Sequence, residues 1–193
     1  LGATTGDLVV IAPNDPAAMA RYAAECSVAG IPYMYDPSMQ LPRMDKAEFE
    51  EGCKGAKILA GNDYEFGMMA GKLEISESEL RRRTPISVMT LGEKGALITA
   101  EGEEYEIPPA KPEKVLDPTG AGDAFRSGFV AGMSRGFSWP VVGRMASLTA
   151  VYAIEHPGTQ EHTYSLDEFL ARYRSNYGPN EEIETLSNGR GKA

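Results

Sequence analysis

Continuous apolar runs alternate with helical patterns over the first part of the chain. Leu8 to Ala12 is apolar at every position, as expected for a strand covered on both faces in a parallel sheet. Asn14 or Asp15 can cap the helix that follows, Pro16 suits its first turn, and Gly30 ends it. The strand-then-helix order recurs and predicts an α/β protein. The predicted helices in this part are Ala17 to Ala29, a segment around Lys46 to Cys53 and one after Asn62, and the predicted strands that separate them are Tyr33 to Tyr35 and Ile58 to Ala60.

The pattern changes after Thr84, where short apolar runs are split by turns that contain glycine. These runs predict a hairpin and an antiparallel edge of the sheet. From Pro179 the chain is polar, so we expect one folded segment over 1–178 and a mobile tail over 179–193. The predicted strands are Ser87 to Leu91, Ala96 to Thr99 and Glu104 to Ile107, and the predicted helices are Ala121 to Arg135, Pro140 to Glu155 and Leu166 to Tyr173.

The composition is that of an ordinary globular protein, with 42% apolar and 24% charged residues among 193. A net charge of -9 argues against nucleic acid or an anionic membrane surface as the main partner. Two cysteines, Cys26 and Cys53, are too few for a disulfide framework and indicate a reducing compartment. With no apolar run long enough for a membrane span and no leader pattern, the sequence predicts a cytoplasmic protein.

The stretch "DPTGAGDAFRSGF" places two glycines and an aspartate at the start of a predicted helix. Unpaired amides at a helix start attract anions, and glycines let an anion approach the backbone closely. Asp123 would repel a phosphate there unless the acid has a chemical role, such as taking a proton from an attacking hydroxyl. The alternative is structural: the glycines serve close helix packing and Asp123 is an ordinary first-turn acid. Small residues at four-residue spacing support close packing: Ala124, Gly128, Gly132 and Gly136.

Two common phosphate-binding motifs are excluded by the residues themselves. A dinucleotide fingerprint requires a third glycine where this chain has Phe125. A P-loop requires Gly-Lys followed by Ser or Thr, which occurs nowhere in the chain. Any phosphate site at this helix is therefore of another kind.

"DPTGAGDAF" resembles the C-terminal signature of the ribokinase-like, or PfkB-type, carbohydrate kinase family, which includes adenosine kinases. In the same order as in that family, "NDYE" resembles its Asn-x-x-Glu motif and "TLGEKGA" resembles its nucleotide-side strand and turn. With "EHPGTQEHTY" the similarity extends from Leu8 to Tyr177. It implies a three-layer α/β/α fold with a mostly parallel sheet. Residues 1–178 would be the C-terminal portion of that domain, with the ATP site and the catalytic base, and the N-terminal part and the lid are expected to be absent from this chain.

The resemblance implies a role for each residue of the glycine-rich helix start. Asp123 would be the catalytic base, and the amides of Gly120, Ala121 and Gly122 would stabilise the charge on the transferred phosphoryl group.

The resemblance also implies cofactor sites. Asn62 and Glu65 would support Mg²⁺ through water, although their spacing alone also predicts a helix capping box. Asp117 and Thr119 are candidates for a monovalent cation such as K⁺. The residues expected to line the ATP site, with a plain hairpin turn as the alternative for the first three, are Thr90, Gly92, Gly95 and Gly158.

The function implied is transfer of the γ-phosphoryl group of Mg-ATP to a hydroxyl of a sugar or nucleoside. "GDAFRSGF" together with "EHPGTQEHTY" looks more like bacterial adenosine kinases than ribokinase, which favours a nucleoside or a ribose-like substrate. A homodimer is one assembly consistent with the resemblance. The alternative is a truncated or non-catalytic nucleotide-binding module that lacks the substrate half.

Overall fold

The computed structural model of the chain describes residue 3 and residues 6–188. Six strands form one sheet, and their order across the sheet follows their order along the chain. The strands are β1 (Val9–Ile11), β2 (Tyr33–Tyr35), β3 (Ile58–Asn62), β4 (Ile86–Thr90), β5 (Ala96–Ala100) and β6 (Glu103–Ile107).

Eight α-helices lie in the part of the chain that the structure describes, with two short 3-10 helices at Ser38–Arg43 and Gly92–Lys94. The α-helices are α1 (Pro16–Ala29), α2 (Lys46–Lys54), α3 (Asp63–Leu73), α4 (Glu77–Arg81), α5 (Ala121–Ser134), α6 (Trp139–Ile154), α7 (Leu166–Tyr177) and α8 (Glu181–Asn188).

The first four strands pair in parallel, with Val9 opposite Tyr33 and Ile58 opposite Ile86 in the register. Helices connect these strands, as a parallel crossover requires. Two residues join β5 to β6, and both have positive φ, at 57° for Glu101 and 84° for Gly102. Two such residues in a two-residue loop are typical of a type I′ turn, which makes β5 and β6 an antiparallel hairpin. The predicted α/β class with a mostly parallel sheet is confirmed.

The described residues form two compact units. The first contains the described residues up to Leu91 together with Leu97–Glu104, and the second contains Gly92–Ala96 and the described residues from Tyr105 onward. Each unit buries an apolar cluster of its own, which stabilises it by removing apolar surface from water. The largest buried side chains of the first cluster are Tyr33, Tyr35, Phe49 and Phe66, and the second includes Leu148, Tyr152, Phe169 and Tyr173.

Local sequence signals set most helix boundaries. Asp15 caps α1 by accepting a hydrogen bond from the Ala18 amide, and Gly30 ends that helix in the left-handed conformation, as predicted. The predicted packing stripe of α5 is buried at Ala124, Gly128 and Gly132, whereas Gly136 lies beyond the end of the helix.

The segment after Pro179 differs from its sequence-based description, because it contains α8. Ile183 is fully buried there, and Glu182 accepts hydrogen bonds from both the backbone and the side chain of Ser138. Arg174 pairs with Glu184. The mobility of this segment stays a prediction, and part of the expected tail, 189–193, lies outside the described residues.

No helix in the described ranges is both long enough and apolar enough to span a membrane.

Candidate active site

The start of α5 is open to solvent. Gly120 precedes the helix with a φ of 85°, in the left-handed region that favours glycine. Among the described residues no side chain caps α5 or α6, whereas α1, α2, α3, α4 and α7 each carry a capping side chain. The first amides of a helix lack partners within the helix, and a Cβ on Gly122 would meet nothing within 4 Å. An anion can therefore approach the backbone here.

Asp123 lies in the first turn of α5, with 70% of its side chain exposed. Its Oδ1 accepts a hydrogen bond from the guanidinium of Arg126, and its carbonyl accepts one from the Ser127 hydroxyl. The Ala121 amide donates to the Pro118 carbonyl over 3.3 Å, so this predicted anion-binding amide is partly engaged. The Asp123 side chain is thus accessible and next to the open helix start.

Asp117 ties two loops together near the start of α5. Its Oδ1 accepts a hydrogen bond from the Thr119 amide at 2.9 Å, and its Oδ2 accepts one from the Gly158 amide at 3.0 Å. Hydrogen bonds from Thr119 and Gly158 hold the pKa of the Asp117 carboxyl below its usual value. A Cβ on Gly120 would lie 3.1 Å from the Thr159 Cβ. The structure therefore brings the predicted cation residues and Gly158 together beside the glycine-rich helix start.

The end of α6 anchors this loop from the other side. The backbone amides of Leu116 and Asp117 both donate to the Ile154 carbonyl, at 2.8 and 3.2 Å. A helix end otherwise leaves such carbonyls without partners. The same contact fixes the backbone that leads into the glycine-rich stretch.

The turn between β4 and β5 contains two glycines, and the structural constraint that favours glycine differs between them. Gly92 has a φ of 60° and open space around it. Gly95 has a φ of 96°, and a Cβ there would lie 2.0 Å from the Ile107 carbonyl oxygen. Close packing against the end of β6 thus explains Gly95 without a ligand. The nucleotide role of Gly92, Gly95 and Thr90, the last residue of β4, stays a prediction.

In the first unit, Asn62 and Glu65 form the capping box that their spacing predicts. The Asn62 side chain accepts from the Glu65 amide at 2.8 Å, and Glu65 Oε2 accepts from the Asn62 amide at 2.7 Å. Glu65 Oε1 accepts a third hydrogen bond, from the Ser38 hydroxyl at 3.0 Å. The motif lies at the carboxyl end of β3, the edge at which α/β sheets bind ligands.

The arrangement of Asn62 and Glu65 suits a magnesium ion that is held through water molecules. No group of three or more His, Cys, Asp or Glu residues in the described part of the chain could hold a metal ion. Each Glu65 oxygen already accepts one hydrogen bond but retains a further lone pair. Mg²⁺ keeps much of its water shell and commonly uses one or two carboxylates together with substrate phosphates. Contact through water fits Glu65, and a cage made of protein ligands does not.

A model of the pfkB family of carbohydrate kinases matches residues 3–165 of the chain. The chain belongs to this family.

The relatives of this PfkB-family chain include nucleoside kinases. It is 30% identical over 171 residues to the nucleoside kinase of Methanothermobacter thermautotrophicus, covering 88% of this chain and 55% of that protein. It is 57% identical over 85 residues to the cytidine kinase of Thermococcus kodakarensis, covering 42% of this chain and 30% of that protein. The chain thus spans little more than half the length of the nucleoside kinase, and the segment that matches the cytidine kinase covers less than a third of that protein.

A solved structure supports the same relationship. The nucleoside kinase of Burkholderia thailandensis in complex with inosine superimposes with a TM-score of 0.86 at 35% identity, over 90% of this chain and 58% of that one. The same enzyme has also been solved in complex with ADP-inosine. The PfkB-family chain therefore has the predicted ribokinase-like α/β fold, with its six-stranded, mostly parallel sheet.

Two residues of the candidate site were missed by the sequence reasoning. Ser38 follows β2 and contacts Glu65, 27 residues further along the chain. Its position after a parallel strand was the available signal, because the carboxyl ends of such strands share one sheet edge. Arg126 lies three residues after Asp123, a helical spacing at which opposite charges meet.

Proposed function

We propose that this PfkB-family chain takes part in ATP-dependent transfer of a phosphoryl group to a hydroxyl of a nucleoside. The observation that carries the proposal is the uncapped start of α5 with the exposed carboxylate of Asp123 in its first turn. Open helix amides suit a phosphate, and an acid beside them suits the hydroxyl that attacks it. Phosphoryl transfer depends mostly on such positioning and charge stabilisation.

In this proposal, Asp123 accepts the proton of the substrate hydroxyl as its oxygen bonds to the γ-phosphorus. The bond between the γ-phosphorus and the bridging oxygen breaks, and ADP leaves with the electron pair. The amides of Gly120, Ala121 and Gly122 stabilise the charge on the transferred group. The Ala121 amide has to lengthen or give up its 3.3 Å bond to Pro118 to contribute fully.

The remaining predicted residues hold cofactors in this proposal. Asn62 and Glu65 bind Mg²⁺ through water, where the ion would neutralise phosphate charge. Thr90, Gly92, Gly95 and the Gly158 loop line the ATP site. A monovalent cation shares the Asp117 carboxylate and the Thr119 oxygens. Each Asp117 oxygen accepts one amide hydrogen bond, which leaves a lone pair for such an ion.

A nucleoside is favoured over a free sugar as the substrate, because two of the relatives that this chain resembles are a nucleoside kinase, matched over 88% of this chain, and a cytidine kinase, 57% identical over the part that matches. The related Burkholderia enzyme binds inosine. The closer likeness to bacterial adenosine kinases, and the cytoplasmic location, remain expectations from the sequence.

The test is Mg-ATP consumption by the full chain with inosine, cytidine, adenosine, ribose and fructose, with Asp123→Asn measured alongside. Turnover should be highest with a nucleoside, and Asp123→Asn should lower it about a hundredfold or more while ATP still binds. Undiminished turnover in Asp123→Asn would remove this residue from the chemistry. ATP binding without turnover on any substrate would favour the nucleotide-binding module instead.

A further inference from the structure

The Arg126 side chain lies over the first turn of α5. Side chains of an α-helix point back toward its N-terminus, so the surface that Arg126 covers is the turn that contains Asp123. Its guanidinium donates to Asp123 Oδ1. The cation is thus part of the same helix start that presents the open amides.

The two partners differ in exposure, which sets this pair apart from a common surface salt bridge. The Arg126 side chain is 15% exposed, whereas that of Asp123 is 70% exposed. An exposed pair at this spacing usually contributes little to stability. Here the cation is packed down beside the helix start, and only the carboxylate extends into solvent.

This placement is unfavourable for an arginine unless a negative charge compensates it. The N-terminal end of a helix carries positive partial charge, which favours acids and disfavours cations. Partial burial adds a desolvation cost for the guanidinium. The Asp123 carboxylate reduces both costs.

The proposed function creates a second electrostatic conflict, which the same pair resolves. A carboxylate base beside a phosphate site repels the incoming polyanion. When the two are a few ångströms apart near a protein surface, that repulsion weakens binding of the polyanion about tenfold or more. A guanidinium in contact with the base cancels most of its charge. The carboxylate then remains available to the substrate hydroxyl without excluding ATP.

We propose that Arg126 is a positioning residue that holds the Asp123 carboxylate and balances its charge, so that a nucleoside triphosphate can bind beside a catalytic base. This inference rests on the proposed function of Asp123 and adds to it the residue that lets base and phosphate share one helix start.

The test is a double-mutant cycle on ATP binding, measured by calorimetric titration of the full chain without added substrate. Arg126→Gln should weaken ATP binding about tenfold, because an uncompensated carboxylate then faces the phosphates. Adding Asp123→Asn to Arg126→Gln should restore affinity to within about threefold of the original chain. Arg126→Lys should retain most of the ATP affinity that Arg126→Gln loses, because a lysine keeps the positive charge.

Arg135→Gln is the matched control. Arg135 is the C-cap residue at the opposite end of α5, and replacing it with glutamine changes the net charge by the same amount as Arg126→Gln. It should leave ATP affinity within about twofold. A loss equal to that of Arg126→Gln would indicate a general charge effect and overturn the inference. An unfolding midpoint for every variant separates loss of binding from loss of folding.

The remaining outcomes are distinct. If the double variant stays as weak as Arg126→Gln, Arg126 contacts the phosphates directly and the charge-balancing role is wrong. If Arg126→Gln binds ATP like the original chain, the inference fails while the proposed function stands. If the original chain does not bind ATP at all, the proposed function itself fails.

Discussion

At the scale of single residues, Gly122 is a position where a larger side chain should impair anion binding without impairing folding. A Cβ there meets no atom within 4 Å, so the helix itself tolerates a larger residue. An anion approaching the first amides of α5 requires that same empty space. Gly122→Val should therefore leave the free energy of unfolding within about 1 kcal/mol while weakening ATP binding at least about tenfold.

Gly71→Val is the matched control for this prediction. Gly71 is also helical, exposed and surrounded by open space, but it lies in α3, a different helix from the one that begins with the glycine-rich stretch. Calorimetric titration with ATP should show no loss of affinity in that variant. Full ATP affinity in Gly122→Val would mean that phosphate does not bind at the start of α5.

At the scale of secondary-structure elements, the close approach of α5 to α6 fixes the direction of the α5 start. A Cβ on Gly128 would lie 2.5 Å from the Thr149 Oγ1 and 2.8 Å from the Ala146 Cα. The second contact is to backbone, which cannot rotate away. Glycine at this position therefore lets the two helices pack at short range.

Gly128→Ala should destabilise the protein by about 2 kcal/mol, the usual cost of overpacking a close contact. Urea unfolding measures it, with Gly122→Ala as the control. Gly122→Ala adds the same methyl group to the same helix, at a position where a Cβ meets no atom within 4 Å. Equal stabilities for the two variants would contradict the close-packing role of Gly128.

The elements that the sequence predicted well are those whose causes are local. Capping residues, the left-handed Gly30 and the four-residue stripe of α5 act within one or two turns, so the pattern alone reveals them. The helix α8 escaped prediction because its stability depends on distant partners. Its Glu182 binds Ser138, 44 residues earlier in the chain, and its Ile183 is buried in the cluster formed by α6 and α7.

The candidate site divides in the same way. Asn62 and Glu65 were found because a capping box and a family motif coincide at one spacing. Ser38 was not found, because the sequence does not show that its loop lies against Glu65. For Gly95 the sequence left two interpretations open, an ATP-site residue or a plain hairpin turn, and only the short distance to the Ile107 carbonyl oxygen reveals its packing role.

At the scale of the whole molecule, one largely buried ion pair links stability to pH. The Glu155 and Arg172 side chains are 6% and 14% exposed, and Glu155 also accepts a hydrogen bond from the Glu113 amide at 2.6 Å. Burial alone would raise the pKa of Glu155. The hydrogen bonds from Arg172 and from the Glu113 amide outweigh it, so the pKa lies below the ordinary value of 4.5.

A carboxyl whose pKa is lower in the folded state contributes stability above its unfolded pKa and loses it as the pH falls through the folded pKa. Glu155→Gln should therefore cost about 2 kcal/mol at pH 7, because it leaves the largely buried Arg172 charge without its counter-ion. The difference from the original chain should shrink as the pH falls below 4.5 and through the lowered pKa of Glu155, because the original side chain then also becomes neutral. Urea unfolding at pH 7, 5 and 3.5 measures this, with the exposed Glu161→Gln expected to change stability by less than about 0.5 kcal/mol. A cost that stays constant over this pH range would mean that packing of the side chain, and not its charge, stabilises the fold at this position.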